Sequence, residues 1–380
     1  MVFYVKQGKV PESRHTYDDK NSLRREELFG EESFDGPYSL LYHLQEPTRV
    51  RSFSVEDKVR EEIDDEPYSH RHLRTSSLPR YGDIVDGKQT ILKNDRVKVQ
   101  IFKPERKSMH FYRNALCDML LFVHEGNGKV ISVMGNLEFN QGDYIYMPKG
   151  LTFTMDYSEG SYFLIFQSRD DITLPRRYLN TYGQIKEGSP YYSRDFIIPT
   201  LPPPREEKGN FRVYVEFENK YVIEERDFSP LDVEGWDGYL YPFCINVEKM
   251  APIVGKIHMP PPVHETFSSS SMMVGTFLPR KFDFHPKSIP ISYYHNNIDV
   301  DEFLFYSSGN FMSRKGIESG SATLHVRGII HGPQPGAIEG AIGKESTDEI
   351  AIMIETYDHL YLTDLGKKIE DPEYATSWYQ

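Results

Sequence analysis

Hydrophobic and polar residues alternate along most of the chain with the two-residue period of β-strands. The alternation is clearest over residues 97–102, 210–216 and 322–326. Only residues 22–29 and 174–182 show the spacing of a short amphipathic helix. Abundant Tyr and Phe (26 and 23 residues) favour strands, and 27 Gly and 25 Pro supply turns. The pattern predicts an all-β fold with a few short helices.

A proline-rich segment, residues 198–205 (IPTLPPPR), lies near the middle of the 380-residue chain. Such a composition is typical of an extended linker. We therefore expect two domains, residues 1–200 and residues 201–380.

The two halves contain a repeat. Residues 111–128 (FYRNALCDMLLFVHEGNG) align with residues 294–311 (YHNNIDVDEFLFYSSGNF) at an offset of 183. Residues 142–153 (GDYIYMPKGLTF) align with residues 320–331 (GSATLHVRGIIH) at an offset of 178. Two collinear alignments at nearly equal offsets predict a duplicated β-barrel.

The halves differ at positions that matter for metal chemistry. In the alignment of the two halves, three potential metal-binding residues of the C-terminal half correspond to apolar or aromatic residues of the N-terminal half. His295 aligns with Tyr112, Glu302 with Met119, and His331 with Phe153. Two imidazoles and one carboxylate form the set that holds non-haem Fe(II) with open coordination positions. Closed zinc sites commonly use thiolates, and Cys117 and Cys244 lie far from these motifs. Fe(II) is the predicted metal, with Mn, Ni or Zn in the same ligands left open.

Each of these residues also has a non-catalytic interpretation. His331 fits a turn histidine bonded to backbone, and Glu302 either points outward or binds a cation, because a buried unpaired carboxylate is costly. Asn297 and Asp301 occur in both halves, so we interpret them as framework of the turn. His264, which follows three prolines, is either a surface histidine or a general base poised near neutral pH at the barrel mouth.

Charge and composition exclude some classes of function. The formal net charge of −13 disfavours binding to nucleic acid or to an anionic membrane surface. No apolar run reaches the roughly 18–20 residues of a membrane span, and no secretory signal is visible. We therefore expect a cytoplasmic protein without a disulfide framework, since only two cysteines occur.

The repeated blocks resemble the two motifs of the cupin superfamily of small antiparallel jelly-roll barrels. In that superfamily the first motif supplies His and Glu ligands and the second supplies a final His after a Gly-containing turn. The resemblance implies a bicupin: an N-terminal cupin barrel that has lost its metal and a C-terminal cupin barrel that carries one.

Further phrases extend the resemblance along the chain: VHETF (263–267), YYHNN (293–297), HGP (331–333), HFYRN (110–114) and PRKFDFHP (279–286). In this order they resemble the homogentisate 1,2-dioxygenase family, particularly its shorter bacterial branch. The resemblance implies iron ligation by His295, Glu302 and His331, and acid/base chemistry by His264. It also implies cleavage of homogentisate by O2 to maleylacetoacetate, a step of tyrosine and phenylalanine catabolism, in a homo-oligomer.

Departures from the family pattern bear on the substrate. The two ligands His295 and Glu302 are one residue further apart than in longer members, and Phe311 stands where those have a substrate-binding tyrosine. The expected substrate contacts are Tyr294, Arg314 and His331. Two alternatives stay open: cleavage of a related para-diol such as gentisate or hydroquinone, and a bicupin that binds a ligand without turnover.

Overall fold

The computed structural model describes residues 3–17, 23–314 and 316–379. Within these ranges the chain forms 28 strands and only two short α-helices, so the predicted all-β class is confirmed. None of the helices in this part of the chain has the length and apolar character to cross a membrane.

The strands up to residue 200 are β1 Val5–Gly8, β2 Arg25–Gly30, β3 Tyr38–His43, β4 Ser52–Asp57, β5 Ile63–Asp65, β6 Arg71–Arg74, β7 Lys88–Lys93, β8 Val97–Phe102, β9 Phe111–Asn114, β10 Asp118–Glu125, β11 Gly128–Ser132, β12 Gly135–Phe139, β13 Asp143–Met147, β14 Phe153–Tyr157, β15 Tyr162–Ser168 and β16 Phe196–Ile197. The later strands are β17 Lys208–Glu216, β18 Lys220–Phe228, β19 Val233–Gly238, β20 Phe243–Asn246, β21 Glu265–Ser268, β22 Met272–Phe277, β23 Arg280–Lys281, β24 Asp301–Ser308, β25 Ser321–His325, β26 Ser346–Thr347, β27 Ile350–Thr356 and β28 Tyr361–Thr363. The helices are α1 Ala337–Ala341 and α2 Asp364–Lys368, with 3-10 turns at Thr75–Ser77, Arg176–Tyr178, Ser193–Asp195, Val247–Lys249, Pro261–His264 and Tyr374–Thr376.

Three large sheets form the body of the protein. A nine-stranded sheet (β16-β20-β13-β10-β15-β8-β7-β28-β5) packs one face against a seven-stranded sheet (β12-β11-β14-β9-β17-β18-β4). Its other face packs against a six-stranded sheet (β21-β22-β27-β24-β25-β6). The two apolar cores lie between these layers, because strand alternation turns every second side chain toward each interface.

Strand pairing crosses the predicted domain boundary at residue 200. β17 pairs in parallel with β9, and β20 pairs with β13, so residues 208–246 complete sheets of the N-terminal half. In the opposite direction, β6 adds to β25 at the edge of the C-terminal sheet. Residues 201–207 have no regular secondary structure.

The helix predicted over residues 22–29 is wrong. Its described part forms strand β2, which pairs in register with β3, while Ser22 lies outside the described residues. Long-range pairing with β3 overrides the local helical spacing. The helix predicted over residues 174–182 shrinks to one 3-10 turn, Arg176–Tyr178, and the chain is extended again at Leu179.

The internal repeat is visible in equivalent backbone hydrogen bonds. In the N-terminal half the Gly150 N–H donates to the Asn114 carbonyl at 2.7 Å, and in the C-terminal half the Gly328 N–H donates to the Asn297 carbonyl at 2.8 Å. Glycine is needed at both positions, since φ is +83° at Gly150 and +76° at Gly328.

A buried aspartate repeats in the same way. The Lys149 N–H donates to Asp118 Oδ1 and the Arg327 N–H donates to Asp301 Oδ1, both at 2.9 Å. Each carboxylate also accepts a second backbone N–H, from Ile172 or from Leu360. These contacts support the interpretation of the shared aspartates as framework, and the duplicated architecture is confirmed.

Candidate metal centre

Two chain segments meet at the candidate site. His295 lies in the loop before β24 and His331 in the loop after β25. Their backbones exchange N–H···O bonds of 2.8 and 2.9 Å. The same pairing joins Tyr112 and Phe153 in the N-terminal half. The repeat therefore carries two histidines to the place where the other half has two aromatic rings.

Strand alternation aims Glu302 at these histidines. Phe303 and Phe305 point into the core between the sheets, whereas Glu302 and Leu304 line a pocket on the other face of β24. Glu302 is only 5% exposed. Glu302 therefore points to the face of β24 opposite Phe303 and Phe305, and that face is also covered by the protein.

The three side chains form one cluster of potential ligand atoms. Glu302 Oε2 lies 3.7 Å from His295 Nε2, and Oε1 lies 3.7 Å from His331 Nε2. One atom from each residue falls within 4.8 Å of the others. Each histidine lies with Nδ1 3.1 Å from a backbone carbonyl two residues earlier, that of Tyr293 or Ile329. These bonds orient both Nε2 atoms toward the carboxylate, as outer contacts do at metal sites.

The cluster fits a divalent metal ion. His331 Nε2 is buried and has no hydrogen-bond partner among the described residues, and 3.7 Å from the carboxylate is too long for a hydrogen bond. Burial opposes ionisation of Glu302, but the neighbouring His295 imidazole and the hydrogen bond from His325 hold its pKa well below the usual value. Burial also lowers the pKa of His331, which favours the neutral imidazole that a metal needs.

Sequence reasoning missed His325. This fully buried residue lies with Nδ1 2.6 Å from Glu302 Oε1 and Nε2 3.2 Å from the Tyr374 hydroxyl. Burial lowers the pKa of His325 to about 3, so the neutral ring donates from Nδ1 to the carboxylate and accepts from the tyrosine. The sequence repeat could have identified it, because His325 aligns with Met147, another apolar residue of the N-terminal half.

The N-terminal half also contributes a residue that sequence reasoning missed. The ring of His70, which directly precedes β6, lies 5.2 Å from the rings of both His325 and His331. Its Nε2 lies 3.3 Å from the Ile330 carbonyl, next to a ligand. No motif marks this residue, because its position depends on β6 joining the C-terminal sheet.

The pocket beside the cluster contains the predicted acid/base residue. His264, His295 and Glu302 line it together with Phe277 and Arg314. Burial, with smaller effects of Arg280 and His258, lowers the pKa of His264 to about 3. The imidazole is therefore neutral at pH 7 and able to accept a hydrogen bond, rather than poised near neutral pH as expected.

The predicted substrate contacts do not all line the same pocket. Arg314 lines the pocket, and its Nε is buried without a partner among the described residues. Its guanidinium lies 5.5 Å from the Trp378 ring centroid, and Nη1 donates to the Gly332 carbonyl at 2.5 Å. Tyr294 is 56% exposed and is not among the described residues that line the pocket. Phe311 packs on Tyr306 at 4.9 Å, outside the pocket lining.

The equivalent positions of the N-terminal half are filled by packed side chains. Tyr112, Met119 and Phe153 are each at most 1% exposed. The Tyr112 hydroxyl donates to Glu216, and the Lys88 ammonium lies 4.0 Å from the centroid of the Tyr112 ring. The positive charge of Lys88 thus balances the negative charge of Glu216 near this site.

A second acidic group occurs elsewhere in the N-terminal half. Carboxylate oxygens of Glu31, Asp118 and Asp171 lie within 4.8 Å of one another. Lys149 Nζ already pairs with Asp171 at 2.5 Å, and Asp118 is bonded to backbone N–H groups. The histidine-containing cluster is therefore the better candidate for a metal.

The fold and this cluster define the class: an all-β protein of two related halves, with a candidate two-histidine, one-carboxylate metal centre in the second half. A sequence model described as homogentisate 1,2-dioxygenase N-terminal matches residues 42–247, which is more than half of the chain. The chain belongs to the homogentisate 1,2-dioxygenase family and is a dioxygenase of that family.

Individual relatives agree with this assignment. A protein of Saccharolobus solfataricus named "Putative dioxygenase" is 44% identical over 384 residues, with 100% of both chains covered. Homogentisate 1,2-dioxygenase of Rhodopseudomonas palustris is 24% identical over 71% of this chain and 62% of its own length. The enzyme of the same name from Drosophila melanogaster is 24% identical over 68% and 61%. This chain thus matches less than two thirds of the length of the relatives that have a named substrate.

Similar solved structures include a cupin 2 conserved barrel domain protein from Leptotrichia buccalis, with 7% identity and a TM-score of 0.33 over 79% of this chain and 99% of that one. A variant of Bacillus subtilis oxalate decarboxylase has 13% identity and a TM-score of 0.36 over 79% and 80%.

Proposed function

We propose that this protein is an Fe(II)-dependent extradiol-type dioxygenase that converts homogentisate and O2 to maleylacetoacetate. The observation that carries the proposal is the cluster of half-buried His295 with buried Glu302 and His331, whose potential ligand atoms lie within 4.8 Å of one another beside a pocket. Family membership adds the dioxygenase chemistry. A C-terminal barrel with the metal and an N-terminal barrel without it belong to the same proposal.

The iron would be held by His295, Glu302 and His331, and when bound it supplies adjacent open positions for a ring oxygen and for O2. Both oxygen atoms enter the product, so the reaction needs no external reductant. The protein's own part is to bind the substrate, to orient it and to exclude water.

His264 suits the role of base. Its ring is 8% exposed and lies 5.0 Å from the Phe277 ring in the same pocket, so it reaches the ligand space from an apolar wall. As a neutral imidazole it accepts a hydrogen bond from a ring hydroxyl and shares the proton as the hydroxyl gains phenolate character. The shared proton returns to an oxygen of the opened ring.

Arg314 is placed to bind the carboxylate of the substrate. It lines the same pocket as Glu302, and its unpartnered Nε can donate to an anion. A guanidinium binds a carboxylate through two parallel N–H groups, which would fix the acetate side chain while the ring lies toward His295.

The test combines metal analysis with oxygen uptake. Protein reconstituted anaerobically with Fe(II) should bind one iron per chain and consume one O2 per homogentisate. His331→Ala should lose both iron and activity, whereas His15→Ala, at an exposed histidine, should keep both. Iron binding without oxygen uptake on any aromatic diol would instead favour the non-catalytic bicupin.

A related para-diol is the second candidate substrate. Phe311 is buried against Tyr306 and offers no hydroxyl where longer members have a substrate-binding tyrosine. Comparison of homogentisate, gentisate and hydroquinone by the absorbance of the ring-opened product decides between them. Equal kcat/KM for hydroquinone and homogentisate would remove the proposed role of Arg314.

A further inference from the structure

The N-terminal half contains a cavity of about 620 Å³ between the nine-stranded and the seven-stranded sheet. None of the described residues that line this cavity also lines the pocket beside the candidate metal centre. Its volume lies in the range of roughly 300–1,000 Å³ that is common for small-molecule sites. The cavity is therefore a separate candidate binding site.

One buried polar atom at this cavity has no partner. Gln100 lies on β8 between Val99 and Ile101, which point into the core on the other side of the sheet, so Gln100 points toward the cavity that it lines. The residue is only 1% exposed, and its Oε1 has no hydrogen-bond partner in the described part of the chain. Because an unpaired buried acceptor is destabilising, this oxygen needs a donor from a molecule in the cavity.

Neighbouring side chains fix the orientation of the Gln100 amide. The Glu61 carboxylate accepts a hydrogen bond from the Thr90 hydroxyl and lies 2.9 Å from Lys98 Nζ. Burial opposes ionisation of Glu61, but the Lys98 ammonium lowers its pKa, so the ionised carboxylate acts only as an acceptor. The Thr90 hydroxyl has thus used its proton and accepts from Gln100 Nε2 at 2.9 Å. The unpaired atom of the amide is therefore the oxygen, which can bind only a donor.

The charges around the cavity indicate an uncharged ligand. The four described Lys and Arg residues of its lining each lie within 3.8 Å of a carboxylate oxygen: Lys58, Arg60, Lys88 and Arg106. The buried carboxylates of the lining, Asp83 and Glu216, are among these partners. Glu56 and Asp364 have no ion pair with any described residue, but both are exposed to water, which screens their charge. The buried part of the cavity is thus balanced in charge.

Tyrosine rings give the cavity an aromatic wall. Tyr214 and Tyr221 both line it and pack with ring centroids 5.8 Å apart at 79°. The Tyr221 hydroxyl donates to the Val85 carbonyl at 2.6 Å, which holds that ring in place. We propose that the cavity binds a neutral aromatic molecule whose N–H or O–H donates to Gln100 Oε1. The tyrosine rings supply the contact area, and the single hydrogen bond fixes the orientation of the ligand.

Two probes that differ by one donor test the proposal. Indole carries an N–H donor, and 1-methylindole has the same ring without it. Calorimetric titration of the full-length protein should show indole binding roughly 5- to 150-fold more tightly, as expected when a buried acceptor is left unpaired. Gln100→Leu should bind the two probes equally, which excludes a steric effect of the methyl group. Gln167→Leu is the matched control, because Gln167 is an equally buried glutamine on the neighbouring strand β15, outside the described cavity lining, and should keep the wild-type preference.

The comparison of the two probes uses the wild-type protein and so does not depend on the folding of a variant. Equal affinity for both probes, or a preference for indole that survives in Gln100→Leu, would overturn the proposal. Absence of binding by either probe would also overturn it and would leave water as the partner of Gln100. His331→Ala should keep the affinity for indole, and a loss there would place the probe at the candidate metal centre instead.

Discussion

His325 should control metal affinity through Glu302. Its Nδ1 lies 2.6 Å from Oε1 of the proposed ligand, and its ring stacks on that of His331 at 4.7 Å and 21°. His325→Phe keeps the stacked ring and removes the donor. The carboxylate then loses one of the contacts that fix its orientation.

The expected magnitude follows from the type of bond. A hydrogen bond to a charged group contributes about 1.5–3 kcal/mol, and about 1.4 kcal/mol corresponds to a factor of ten in a dissociation constant. The metal dissociation constant should therefore rise roughly 10- to 100-fold, the range found when outer contacts of metal ligands are lost. The Tyr374 hydroxyl also loses one of its partners, so stability should fall by about 1 kcal/mol.

The assay is a titration of apo-protein with Co(II), which is followed by its visible absorbance and does not depend on turnover. His325→Asn should recover part of the affinity, because its amide nitrogen can donate near the position of Nδ1. His124→Phe is the matched control: His124 is 3% exposed, and its ring packs on Tyr162 at 4.7 Å, away from the ligands. Wild-type affinity in His325→Phe, or equal loss in His124→Phe, would refute the reasoning.

Three further results are expected. His264→Phe, which fits the apolar wall, should lower kcat by about 10²–10⁴ with unchanged iron content; a loss of iron would argue against a purely acid/base role. Burial lowers the pKa of His43, but hydrogen bonds with two carboxylates outweigh this effect and raise it from 6.5 to about 9. The protonated His43 therefore stabilises the fold fully below pH 6.5, and this contribution is lost as the pH rises to 9. Urea unfolding should show a decline of roughly 3 kcal/mol over this range, and His43→Gln should flatten the profile. In the same assay Asp301→Ala should cost about 3–5 kcal/mol, because it leaves Arg327 and His359 without their carboxylate. Asp118→Ala should cost about 1–3 kcal/mol, because it leaves backbone N–H groups unpaired. Exposed Asp299→Ala should change little, and an equally small loss in all three variants would contradict the framework role.

Several features of the fold could be predicted because they depend on local periodicity. Alternation with a period of two identifies strands such as β8, and it also indicates that Glu302 differs in direction from Phe303. Local pattern fails at β2, where pairing with β3 decides the conformation. It also cannot show that β17 and β20 complete sheets of the N-terminal half.

For the site, the sequence by itself determined which residues differ between two otherwise equivalent halves. That comparison identified His295, Glu302 and His331, and the structure brings them together because the repeated register is kept. The repeat works as a predictor since equivalent backbones place equivalent side chains in the same space.

The tertiary structure alone decided what surrounds those ligands. His70 reaches the centre only because β6 joins the C-terminal sheet, and His325 orients the carboxylate only because β25 lies beside β24. The protonation of His264 was likewise set by burial and neighbouring cations rather than by its motif. Burial and partners are long-range properties, because residues far apart in the chain supply them. For that reason the sequence pattern located the candidate ligands but not their environment.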